Sequence, residues 1–173
     1  MSYYVSGCDT TIIDPICSDC PTYEKGNIRS IFLVDHASPF TDITNTTEWL
    51  NKISNKTVYY IPYTNGSLEA TEVESDGFGD ILTTIDTYEY ALNAFDPNYT
   101  QNYSFWNSIK YDRTWRIGWR TETRVHVSDN PCTIIVKAHI ADYKKEKIRC
   151  NLTFKFEQVV LPQPQATPSS VFD

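Results

Sequence analysis

Methionine occurs once in this 173-residue chain, histidine three times and glycine six times, and each scarcity removes a class of reading. Six scattered glycines form no phosphate-cradling loop, and no nucleophile elbow or metalloprotease helix is present. Of His36, His126 and His139, the last two fall on alternating segments among charged residues, where a solvated or cross-strand-paired imidazole is the plain reading. Long apolar runs are missing too: the most continuous, Ile31-Phe32-Leu33-Val34, is far too short to cross a bilayer. The opening MSYYVSGCDTT has neither a basic start nor a long apolar stretch, so synthesis in a cytosol is expected and a membrane is not an expected partner. Basic charge is in deficit, with 15 Lys and Arg against 22 Asp and Glu and a formal net charge of −7. That balance argues against the whole chain clamping nucleic acid, a task dominated by cationic neutralisation of phosphate.

Aromatic residues are plentiful instead: twelve Tyr, eight Phe and four Trp favour pleated surfaces, so a mainly β domain is expected. The length suits one domain with a real core. Residues 1–27 read as an arm, because Gly7, Pro15, Pro21 and Gly26 interrupt every short apolar run. Residues 28–160 read as the β-sandwich domain, and residues 161–173, LPQPQATPSSVFD, as a tail extended by its prolines. Cys8, Cys17, Cys20, Cys132 and Cys150 are odd in number, which suits reduced thiols better than a closed disulfide framework. A zinc site at Cys8, Cys17 and Cys20 would need a second knuckle that the sequence lacks, so no metal and no cofactor is expected. Sequons at Asn45, Asn55, Asn65, Asn98, Asn102 and Asn151 are read as a product of Thr- and Ser-rich composition.

Within the domain, residues 29–35 form a continuous apolar run expected to be a buried strand. Residues 46–53 predict a short helix with Trp49, Leu50 and Ile53 on one face and Thr46 or Thr47 as cap. Residues 57–63 predict a strand that Pro62 confines to an edge or an end, followed by an Asn65-Gly66 turn. EATEVESDGFGD, residues 69–80, lacks EF-hand spacing and reads as an acidic solvated hairpin rather than a calcium loop. A strand is expected over residues 81–88. The aromatic-rich residues 88–111 are expected to be core or contact surface.

The last third alternates most clearly. In TWRIGWRTETRVHVSD, residues 114–129, the odd positions from Trp115 to Val127 are apolar or β-branched, and Arg116, Arg120, Glu122, Arg124 and His126 occupy even ones. This period of two predicts a strand with one wet face, unusually long and either bent at Gly118 or reaching past its own domain. Residues 133–140 and 147–157 alternate as well, with Ile148, Cys150, Leu152, Phe154 and Phe156 to one side. Together the three segments predict a C-terminal antiparallel meander, with at most one or two short helices elsewhere in the chain. Arg116, Arg120 and Arg124 are candidates for a subunit interface, since guanidinium forks pair bidentately with carboxylates and stack on rings. Ile12, Ile13, Ile16, Val171 and Phe172 make the two ends apolar enough to dock on a neighbouring copy. No convergent set of catalytic groups is legible, and a non-enzymatic protein is expected.

The arm before GNIRSIFLVD, the segment NYSFWNSIKYDRTWRIGWRTETRVHVSDNPCTIIV, the alternating NLTFKFEQVV and the ending PSSVFD together resemble virion structural proteins of tailed phages of gut Bacteroidetes, including crAss-like phages. Among these the chain is most similar to the tail-tube or tail-hub type. The resemblance implies a β-sandwich with one short helix, copies joined in a ring by arms, neighbouring virion proteins as further partners, and location in the virion. It also implies a lumen for genome passage without sequence-specific nucleic-acid contact, where negative charge would let DNA slide. Two other readings of the same features are a capsid auxiliary or decoration protein and a secreted adhesin or glycan-binding β-sandwich.

Overall fold

A computed structural model describes residues 26–62, 64–76, 83–109, 114–140, 148–160 and 162–172. The arm assigned to residues 1–27 therefore lies almost wholly outside the described residues, and Cys8, Ile12, Ile13, Ile16, Cys17 and Cys20 with it.

The chain is mainly β, with two antiparallel sheets packed face to face. In chain order the elements are β1 (Ser30–Asp35), α1 (Thr46–Ser54), β2 (Val58–Ile61), β3 (Ser67–Asp76), β4 (Thr83–Asp96), α2 (Tyr99–Ile109), β5 (Trp115–Arg120), β6 (Arg124–Val127), β7 (Thr133–His139), β8 (Arg149–Gln158) and β9 (Gln165–Ala166). One sheet runs β2-β1-β5-β6-β9 and the other β3-β4-β8-β7.

The inner faces carry Ile31, Leu33, Ile117 and Trp119 from the first sheet against Tyr90, Leu92, Leu152, Phe154 and Phe156 from the second. Buried apolar area of this kind is the main favourable term in folding. β1 is buried along almost its whole length because the opposite face of its sheet is covered as well. There Phe32, Val34, Val58 and Trp49 form a second cluster, with Phe40, Ile43, Val171 and Phe172 packed on it. The continuous apolar run in the sequence is thus the mark of a strand sandwiched on both sides.

α1 brings Trp49 onto that outer face, and its indole N–H donates to the Ile43 carbonyl at 2.6 Å. Leu50 and Ile53, expected to share the buried face, are 53% and 38% exposed. The cap is Asn45 and not Thr46 or Thr47: its side-chain oxygen accepts from the amides of Thr47 and Glu48. The helix ends in a Schellman pattern, Lys56 N–H to Ile53 O and Thr57 N–H to Lys52 O, with Lys56 at φ 58°.

Pro62 follows the edge strand β2, as expected. The Asn65-Gly66 pair makes no hairpin, however, because the chain there crosses to the other sheet and β3 pairs with β4. Gly66 bridges Ile28, and a Cβ on it would meet the Asn93 carbonyl at 2.7 Å, so backbone must pass close here.

Two expectations about the last third are corrected. Residues 114–129 are not one long strand bent at Gly118; they are the β5–β6 hairpin, with Arg120 opposite Val125 and the turn at residues 121–123. Nor do the last three segments form one meander. β7 and β8 pair with each other in the second sheet, and residues 128–132 carry the chain across from the first. That crossing is tightly tied. The Ser128 N–H donates to the Ile117 carbonyl, the Ser128 hydroxyl accepts from the Ile117 amide, and the Cys132 N–H donates to the Trp115 carbonyl.

The aromatic-rich stretch also has a place. Its first part completes β4, and Tyr99–Ile109 is the helix α2, anchored by a buried carboxylate. Asp96 is fully buried and accepts from Asn98 N–H (2.8 Å), Asn102 Nδ2 (2.7 Å) and Trp106 Nε1 (2.7 Å). Three donors on one carboxylate meet the requirement that a buried charge be hydrogen-bonded.

Candidate assembly surface

The hairpin geometry separates the three arginines. Residues opposite one another in an antiparallel pair share a face. Val34 opposite Arg116, and Ser30 opposite Arg120, put both guanidinium stems on the outer face of the first sheet. Arg124 precedes Val125, which pairs with Arg120, so Arg124 lies on the other side, that of Trp119 and His126. Those two rings stack at 5.2 Å with an interplanar angle of 2°. Arg116 donates from Nε to His36 Nδ1 at 2.9 Å, which engages that imidazole nitrogen as an acceptor. Arg124 is exposed beside β9, its backbone opposite Ala166. The three-arginine wet face read from the alternation is therefore two arginines on one side and one on the other.

Arg120 belongs to an intramolecular contact. Its guanidinium lies 5.1 Å from the Phe172 ring centroid, and Nη1 donates to the Phe172 carbonyl at 3.2 Å. The Phe172 ring meets Trp49 at 5.0 Å, Tyr60 at 5.1 Å and Phe32 at 6.3 Å. Val171 joins the same cluster, the Thr46 hydroxyl donates to the Ser169 carbonyl, and β9 adds a short ladder to β6. Val171 and Phe172, expected to dock on a neighbour, dock on their own domain. The physical reason is that Trp49, Phe32 and Tyr60 leave an aromatic groove that a second apolar segment must cover.

The β3–β4 hairpin projects past its sheet. β8 pairs with β4 only from Tyr88 onward, whereas β3 and β4 stay paired to Asp76 and Thr83. Residues 73–76 and 83–87 thus extend roughly 14 Å past the sheet as a two-stranded ribbon, with a bulge at Val73/Glu74. Val73 and Ile85 stand 38% and 50% exposed on it, among exposed Glu72, Glu74, Asp76 and Asp86. The acidic hairpin read from the sequence is present over its described part, and among the described residues no His, Cys, Asp and Glu cluster could hold a metal ion.

At the base of the same hairpin, where β3 begins and β4 ends, lies a cleft of about 620 Å³ walled by Arg29, Tyr60, Thr64, Phe95, Arg120 and Phe172. Arg29 also pairs with Glu122 at 3.1 Å, with its side chain 48% exposed. Arg120 Nε is buried without an acceptor among the described residues. Thr64 is buried and fixes the wall through its hydroxyl, which donates to the Phe95 carbonyl at 2.7 Å and accepts from the Phe95 amide at 3.1 Å.

Cys132 and Cys150 are buried free thiols, while Cys8, Cys17 and Cys20 lie outside the described residues. Burial pushes the Cys132 thiol up to about 12. Cys150 is raised as well, by burial first and by the Asp96 charge second. Neither is a nucleophile near neutral pH, because the thiolate is the reactive form. Sequence reasoning missed Asp96 and the cleft as organising features, and it named Phe172 only as a contact to a neighbouring copy. Asp96-Pro97 ahead of Tyr99, Asn102, Trp106 and Ile109 at helical spacing is the signal that could have found the first. Comparison with protein-family models, with curated proteins and with solved structures gives no match for this chain.

Proposed function

We propose that this chain is a non-enzymatic structural subunit of a tailed-phage virion that joins copies of itself in a ring of the tail-tube or tail-hub type, through which the genome passes. The observation that carries the reading is the β3–β4 ribbon. Two strands alone are marginal in water and gain stability only against a further surface, yet among the described residues no third strand pairs with this ribbon, and Val73, Glu74, Asp76, Ile85 and Asp86 stand exposed on it. An edge strand of ten residues is also a template for pairing with another chain. The acidic balance suits a channel that must not retain a polyanion, and the sequence resemblance supplies the virion context.

Negative-stain electron microscopy of the purified chain at high concentration tests this reading. Rings with a central hole are the expected result. Featureless monomers at every salt concentration overturn it, and binding to expanded empty heads without ring formation turns the assignment to a capsid auxiliary protein.

A further inference from the structure

Resting on that reading, we infer that the acidic β3–β4 ribbon of one copy docks in the Arg29–Arg120 cleft of the next, giving a directional head-to-tail contact. The two surfaces sit at opposite ends of one strand pair, β3 with β4. The cleft wall includes Phe95, one residue before the end of β4, and lies beside the start of β3 at Ser67, whereas the exposed Glu74 and Asp76 lie at the far end of β3. Nine residue steps at about 3.3 Å separate those ends by roughly 30 Å, so a ribbon cannot reach the cleft of its own chain.

Charge complements across this distance. The ribbon presents Glu74, Asp76 and Asp86, all exposed. In a chain of net charge −7, the cleft wall carries two cations, Arg29, whose guanidinium also pairs with Glu122 at its rim, and Arg120, and no described residue of the lining is a carboxylate. Apolar surface matches as well: Val73 and Ile85 stand exposed on the ribbon, while Tyr60, Phe95 and Phe172 contribute rings to the cleft. A contact between two different patches of identical chains is heterologous and closes into a ring when the rotation per copy permits.

The test uses two full-length variants, Glu74→Lys with Asp76→Lys in the ribbon and Arg29→Glu in the cleft, chosen because all three side chains are exposed. Self-association measured by sedimentation should weaken on the order of 100-fold in each variant alone, since like charges then face each other. An equimolar mixture of the two variants should regain association, because ribbons carrying lysine meet clefts carrying glutamate, and native ribbons meet native clefts. Circular dichroism melts within a few degrees of the unmodified chain establish that both variants fold. If the unmodified chain assembles but the variants assemble equally well, or the mixture shows no recovery, the docking inference is overturned and the ring reading stands. An unmodified chain that stays monomeric overturns both.

Discussion

Gly118→Ala is the sharpest perturbation of the fold. A glycine inside a strand ordinarily weakens it, and alanine there gains roughly 0.5–1 kcal/mol. Here the reverse is expected. Gly118 pairs with Phe32 across β1 and β5, and a Cβ on it would fall on the Phe32 ring, against Cε2, Cζ and Cδ2. The ring has nowhere to go, being fully buried, 4.8 Å from Trp49 on one side and 6.3 Å from Phe172 on another. Overpacking of a close-packed core costs about 1–3 kcal/mol, which outweighs the propensity gain and leaves a net loss of about 1 kcal/mol. For a domain of this size that is about 2–4 °C in Tm. Urea titration followed by circular dichroism measures the loss. The cause is isolated by Phe32→Leu: the double variant Phe32→Leu/Gly118→Ala should lose at least about 1 kcal/mol less than the sum of the singles, because the two changes share one space. A neutral or stabilising Gly118→Ala, or a strictly additive double variant, would refute the reasoning.

Asp96→Ala strands the indole N–H of Trp106 and the amide of Asn102 in the interior, and should cost about 3 kcal/mol, with a change in tryptophan emission as α2 loosens. Phe172→Ala removes a ring that contacts Trp49, Tyr60 and Arg120; as the side chain is half-buried, the loss in thermal or urea denaturation should be about 2 kcal/mol. Cys132 supplies a pH dependence. Its pKa is raised in the folded state from the ordinary value near 9 to about 12, so the unfolded chain releases this proton first. The associated stability is complete below about pH 9 and is lost progressively as pH rises toward 12, by about 1.4 kcal/mol per pH unit within that window. Denaturation midpoints at pH 8 and pH 10 should fall more steeply for the unmodified chain than for Cys132→Ala.

The legible parts of the fold are those where one pattern has one cause. Ile31 to Val34 announces a strand buried on both faces, and the alternation around Cys150 and Phe154 announces β8. The β5–β6 hairpin escapes because its turn is Thr121-Glu122-Thr123, without glycine, proline or asparagine, and because the alternation continues in phase through it. Chain parity alone then places Arg116, Arg120 and Arg124 together, while pairing across the turn puts Arg124 opposite the other two. α2 escapes because Tyr99, Tyr103, Phe105 and Trp106 favour strands intrinsically; the tie from Asp96 to Trp106 and burial against the core override that propensity. The ending, read as an arm for a neighbour, docks at home because its partner groove is built from residues distant in sequence, Phe32, Trp49 and Tyr60. The acidic hairpin is visible in composition, but its projection past β8 depends on strand lengths that no local pattern encodes.

Sedimentation velocity of the full chain across a wide concentration range, at low and high salt, addresses the claim of self-assembly most directly. Ring assembly predicts a discrete closed species of several copies that forms with rising concentration and is weakened by salt, as expected for a contact between an acidic ribbon and an arginine cleft. A single monomer boundary at the highest soluble concentration in both salts would contradict it.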